Sequence, residues 1–129
     1  MSDKFTVEII SPDKLIFNSD AKEVTIPSYE GQMGILNDHI PLITFLRPGI
    51  ISIQNQEKKE YFVEEGTVEF KNNNLLILTS TAIDLKELNQ NFIEELLNNA
   101  EKKLSDNDSS DKEKYLLSYK INTLKEISR

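Results

Sequence analysis

The only histidine of the chain, His39, sits in the stretch Glu30-Gly31-Gln32-Met33-Gly34-Ile35-Leu36-Asn37-Asp38-His39-Ile40-Pro41-Leu42-Ile43, beside two of the four glycines. A histidine next to a carboxylate could serve as a general base, and closely spaced glycines could let backbone amides cradle a phosphate. Neither chemistry is completed. A general base needs a positioned partner and a nucleophile, and the chain holds no Gly-x-Ser-x-Gly elbow and no His-Glu-x-x-His pair. One histidine with scattered carboxylates is a poor metal set. The absence of cysteine removes thiolate ligands, thiolate nucleophiles and disulfides. Gly31 and Gly34 fit neither Gly-x-x-x-x-Gly-Lys-Ser/Thr nor Gly-x-Gly-x-x-Gly, no helical pattern follows them, and Glu30 and Asp38 repel an anion. No catalytic residue, metal site or cofactor is expected. The stretch reads as a rim loop with glycines at positive-φ turns, exposing Met33, Ile35 and Leu36 as a surface for docking.

Two hydrophobic periods lie on either side of residue 82. In "KFTVEII", Phe5, Val7 and Ile9 alternate with Thr6 and Glu8, the period of a half-buried strand. Short strands are expected again at 15–18, 23–26, 42–46, 50–54, 60–64, 67–70 and 75–79, separated by turn residues such as Arg47-Pro48-Gly49 and Asn72-Asn73-Asn74. No helical pattern interrupts them, which argues against a parallel βαβ sheet and for an antiparallel sandwich or small barrel. Phe5, Val7, Ile9, Val24, Ile26 and the 75–78 run are the expected core. From Asp84 onward Leu85, Leu88, Phe92, Leu96, Ala100 and Leu104 recur at steps of three and four, with Asp84 and Glu87 spaced as a capping box. The polar run "SDNDSSD" at 105–111 breaks that helix. Ser110 and Glu113 open a second helix, with Leu117, Ile121, Leu124 and Ile127 as its stripe. The fold class is therefore α+β: an N-terminal antiparallel β-sandwich over 1–82, then a C-terminal antiparallel two-helix hairpin over 83–129.

A net charge of −7 argues against a nucleic-acid binder, whose phosphate contacts need clustered Lys and Arg. No stretch reaches the roughly 20 apolar residues that a membrane-crossing helix requires, and no signal peptide is visible at the start. Residues 84–104 carry 5 acidic and 3 basic side chains, residues 111–129 carry 3 and 5, so the two helices complement each other in charge.

The segment "SYEGQMGILNDHIPLITFLRPGIISI" resembles the Glu-Gly-x-x-Gly-(Ile/Val)-x-x-x-His-x-Pro-Leu-(Leu/Ile)-x-x-(Leu/Ile)-x-Pro-Gly run of the ε subunit of bacterial F-type ATP synthases, the mitochondrial δ. The matching residues are Glu30, Gly31, Gly34, Ile35, His39, Pro41, Leu42, Ile43, Leu46, Pro48 and Gly49. "FVEEGTVEFKNNNLLILTSTAID" is similar to a later stretch of that family, and the order of strands then helices agrees along nearly the whole chain. The resemblance implies a non-catalytic rotor subunit at the foot of the central stalk, on the cytoplasmic face of the bacterial inner membrane and not inserted into it. It implies contact with the ring of c subunits through Glu30, Gln32 and Met33, and with the γ subunit through His39 and Thr44. It also implies that the hairpin can reach the catalytic α and β subunits and block hydrolysis. The family's tip is often acidic where this chain has Gln32, which replaces a charge contact with a hydrogen bond. Some relatives bind ATP through (Ile/Leu)-Asp-x-x-Arg-Ala. Here Ile83 and Asp84 match but Glu87 stands at the arginine position, and a carboxylate repels phosphate. The only arginines are Arg47 and Arg129. A nucleotide-sensing hairpin is the alternative reading.

Overall fold

The computed structural model describes residues 3–106 and 108–128. Residue 107 of the expected linker and Arg129, at the end of the expected second helix, lie outside the described residues. Ten strands fill the first part: β1 (Phe5–Ile10), β2 (Leu15–Ala21), β3 (Glu23–Ser28), β4 (Gly31–Leu36), β5 (Leu42–Leu46), β6 (Gly49–Gln54), β7 (Lys58–Val63), β8 (Gly66–Lys71), β9 (Asn74–Leu78) and β10 (Ala82–Asp84). Helices α1 (Gln90–Leu104) and α2 (Asp111–Ile127) follow a single 3-10 turn at Leu85–Glu87.

Strand β3 joins the two layers. Its first half pairs with β6 at Glu23, Val24 and Thr25, and its last residue, Ser28, pairs with Leu46 of β5. One layer is β4-β3-β6-β7-β10 and the other is β5-β8-β9-β1-β2. Between these two pairings lies Pro27, whose carbonyl accepts from the Arg47 amide at 2.9 Å. Gly49 has no alternative there, since a Cβ on it would lie 2.5 Å from Pro27 Cβ. The pairings are antiparallel except one: β1 runs parallel to β9. That pairing needs no βαβ unit, because the whole intervening sandwich is the connection.

The expected alternation holds where it was clearest. Phe5, Val7, Ile9, Val24 and Ile26 are buried between the layers, with Phe5 and Phe70 in edge-to-face contact at 5.6 Å. The 75–78 run is only half core. Leu75 and Ile77 point inward, whereas Leu78 lies 45% exposed on the outside, as the two-residue period of a strand requires.

The hairpin packs on the outer face of the β6-β7-β10 layer. Consecutive residues of β7 show how: Tyr61 and Val63 enter the sandwich core, while Phe62 points the other way and is buried with Ile93 and Leu124. The predicted first helix begins late. Asp84 caps only the 3-10 turn, accepting from the Lys86 amide at 3.0 Å; Leu88 is extended, and Asn89 caps α1 by accepting from the Phe92 amide at 2.8 Å. Leu85 and Leu88 thereby lie against the Phe62 cluster before the helix starts. Ser110 caps α2 as expected, accepting from the Glu113 amide at 3.1 Å.

Candidate docking surfaces

The glycine-rich stretch is not one loop. Residues 31–36 form β4, paired along its length with β3, so Glu30 and His39 sit at opposite ends of a six-residue strand, about 20 Å apart. At the first end Tyr29 and Glu30 make a two-residue hairpin turn. The buried Ser28 hydroxyl donates to the Gly31 carbonyl at 2.7 Å and accepts from the Glu30 amide at 3.2 Å, and Gly31 takes φ +123°, a value side chains rarely allow. Glu30 and Gln32 are exposed on this rim, with Tyr29 beside them. Met33 opposes Ile26 and leans against the core, and Ile35 is fully buried, so neither forms part of an exposed loop.

At the second end the Leu36 carbonyl accepts from the His39 amide at 3.1 Å, and Asp38 takes a left-handed φ of 65°. Asn73 holds that turn from β8-β9. Its side-chain oxygen accepts from the Asp38 amide at 2.7 Å and its amide nitrogen donates to the Asp38 carboxylate at 2.9 Å. Asn72 and Asn73 themselves form a left-handed two-residue turn. His39 Nδ1 lies 2.7 Å from the Ile40 carbonyl oxygen, which can only accept, so that nitrogen carries a proton. Its ring stands edge-on to Phe70 at 5.9 Å. This is a histidine fixed to its own turn.

Strand β5 departs from the expected site more sharply. Thr44 points inward and is 4% exposed, so its side chain is covered by the sandwich and cannot present itself to another molecule. Its neighbours Ile43 and Phe45 point outward, 73% and 56% exposed. The register extends this patch across the layer: Phe45 opposes Thr67, Thr67 opposes Leu78, Leu78 opposes Ile10, and Ile10 opposes Leu15. A shallow groove of about 650 Å³ runs among Ile10, Pro12, Phe45, Thr67 and Leu78. Sequence reading missed this surface. Its signal was "LITFL", apolar at both parities of a strand, which requires cover on both faces.

At the hairpin root Ile83 opposes Phe62 and joins the Phe62 cluster, and Asp84 opposes Tyr61. The Asp84 carboxylate lies 2.8 Å from Lys59 Nζ. That hydrogen bond holds the Asp84 carboxyl below its usual range and the Lys59 ammonium above its own. Among the described residues no group of three or more His, Asp or Glu is gathered for a metal.

The sandwich thus leaves Ile43, Phe45 and Leu78 exposed on one outer face and carries a helical hairpin on the other. The family described as ATP synthase, Delta/Epsilon chain, beta-sandwich domain matches residues 4–85. The ATP synthase epsilon chain of Pelagibacter ubique is 45% identical over 130 residues, covering 99% of this chain and all of that one. The ATP synthase epsilon chain of Parvibaculum lavamentivorans is 32% identical over 98% of this chain and 97% of its own. In fold, the chain resembles a subunit in the Euglena gracilis mitochondrial ATP synthase structure of OSCP, F1 and c-ring, with a TM-score of 0.83 at 20% identity, covering 100% of this chain and 84% of the other. A chain in the Tetrahymena thermophila mitochondrial central stalk and c-ring gives 0.71 at 18% identity, with 96% of each covered. The chain belongs to the ATP synthase delta/epsilon family, and the relatives that match along its length are epsilon chains of that synthase, not its catalytic subunits. Among the described residues no helix is long and apolar enough to cross a membrane.

Proposed function

We propose that this chain joins the γ subunit to the c ring in the central stalk and carries torque between them without chemistry of its own, peripheral to the cytoplasmic face of the bacterial inner membrane. The observation that carries the reading is the bare outer face of β5-β8-β9-β1, where Ile43, Phe45 and Leu78 stand in water. Covering what remains exposed of each contributes roughly 1–2 kcal/mol, which a permanent partner supplies and solvent does not. That partner is γ. His39, at the edge of the same layer, belongs to the contact; Ile43 and Phe45 take the role expected of the buried Thr44.

The turn at Tyr29–Glu30, with Gln32 beside it, faces the c ring. A hairpin tip pinned by Ser28 is stiff enough to transmit force, and Met33 supports it from inside. The hairpin α1-α2 acts on hydrolysis by reaching the α and β subunits. Nucleotide sensing is disfavoured, because Asp84 is already paired with Lys59 and Glu87 replaces the arginine a phosphate needs. Capture of purified γ by the immobilised chain tests the main reading. Retention of γ by the wild type, and its loss from Phe45→Asp, is expected; equal retention by both places γ elsewhere.

A further inference from the structure

The hairpin sits on its layer in an uneven way. A narrow dry strip, Phe62 with Ile83, Ile93, Leu97 and Leu124, lies along β7 and β10. Beyond it, α2 overhangs an open cleft of about 620 Å³ with mixed walls: Thr25, Pro27, Ile50 and Ser52 on the sheet, Asn122 and Thr123 on the helix. Two polar contacts tie α2 down, one at the rim of this cleft and one outside it. The Arg47 guanidinium lies 4.0 Å from the centroid of the Tyr119 ring, which is itself packed edge-on by Tyr115 at 5.0 Å. One residue further on, Lys120 is ion-paired with Glu64, at the end of β7.

We infer that Arg47 on Tyr119 and Glu64 on Lys120 form a two-point clasp that sets how often the hairpin is docked on the sandwich. Interfaces that are small and partly polar leave the joined bodies free to separate, and an open cleft has little close packing to lose when they do. The dry strip fixes where α1 lies. The clasp holds the far side of α2, and its loss lets the hairpin swing out about the 84–88 root. For its consequence in the complex, this inference rests on the hairpin reading above; for its geometry it does not.

Two variants remove the clasp without weakening the helix. Arg47→Gln takes the guanidinium away from both Tyr119 and Tyr115, and Glu64→Gln takes the carboxylate away from Lys120; both changes lie on the sandwich side and leave α2 untouched. Amide hydrogen exchange on the full chain is the readout. The double variant is expected to speed exchange throughout α1 and α2 about tenfold, from the summed loss of a partly buried cation–π contact and a partly buried ion pair. Protection in β1, β7 and β9 should stay at wild-type values, and Tyr119→Phe, which keeps the ring, should behave as wild type. Unchanged helix exchange in the double variant overturns the clasp. So does equal loss of protection in the strands, which would make hairpin and sandwich one body. ATP hydrolysis by the complex reconstituted with the double variant separates the two readings. Faster helix exchange with an altered hydrolysis rate supports both; faster exchange with an unaltered rate leaves the clasp standing and removes the regulatory reading.

Discussion

The two outer faces of the sandwich have nearly the same sequence character and opposite fates. On the β6-β7-β10 layer Phe62 points outward and is buried, because α1 and α2 supply Ile93 and Leu124 to cover it. On the β5-β8-β9-β1 layer Phe45 points outward and is 56% exposed, Ile43 and Leu78 are exposed in large part as well, and none of the described residues covers them. One apolar patch is covered within the chain and the other is not, and that difference is what points the proposed γ contact to the second face.

The sharpest way to break this comparison is to spoil the bare face. Ile43→Asp with Phe45→Asp should cost at least about a hundredfold in affinity for γ, as the loss of central apolar anchors does, while thermal unfolding of the free chain stays near the wild-type midpoint. A coincident fall in stability would mean that these side chains are core after all. Spoiling the covered face should do the reverse. Phe62→Ala removes the centre of the hairpin cluster, costs about 3–5 kcal/mol of hairpin docking, and leaves γ capture intact. Proteolysis within 105–111 and amide exchange in α1 report that loss. Loss of γ capture in this variant would make the covered face part of the γ site.

Smaller effects are expected at the rim. Gln32→Lys places a charge on the exposed turn, and in reconstituted membranes it should lower proton-driven synthesis several-fold with γ capture unchanged; unaltered synthesis would move the c-ring contact away from this turn. The least effect belongs to Lys59 and Asp84. The folded pKa of Asp84 lies below its unfolded one, so its pairing stabilises above the ordinary carboxylate range and is lost as pH falls through the depressed value. That of Lys59 is raised, so its part is present below the ordinary lysine range and is lost as pH rises through the raised value. Asp84→Asn should therefore lower the neutral plateau slightly and leave stability at low pH nearly unchanged, so that the acid limb of the unfolding profile flattens. A steeper acid limb would mean that Asp84 is not held charged by Lys59.

The strands of the sandwich were legible because alternation such as Phe5, Val7 and Ile9 has no other physical reading. The hairpin was legible from its three-and-four spacing. Strand β4 was not, because two glycines and a polar start suppress its pattern, and its pairing with β3 decides the matter only in three dimensions. The start of α1 was hidden for a similar reason. Leu85 and Leu88 keep helical spacing by coincidence, and what fixes them is contact with Phe62, not a helix. Thr44 shows the limit at a site: alternation assigned to "LITFL" gives two parities, both apolar enough to be core, and only the closed sandwich says that 44 is inside and 43 and 45 are out. The family resemblance supplied the partners, but the face had to come from the packing.

Hydroxyl-radical footprinting of the chain with and without γ tests the central claim directly. The account predicts that oxidation of Ile43, Phe45 and Leu78 falls several-fold on addition of γ, while Phe92 and Tyr115 on the hairpin are oxidised as before. Unchanged oxidation at Phe45, with protection appearing at the hairpin, would contradict it.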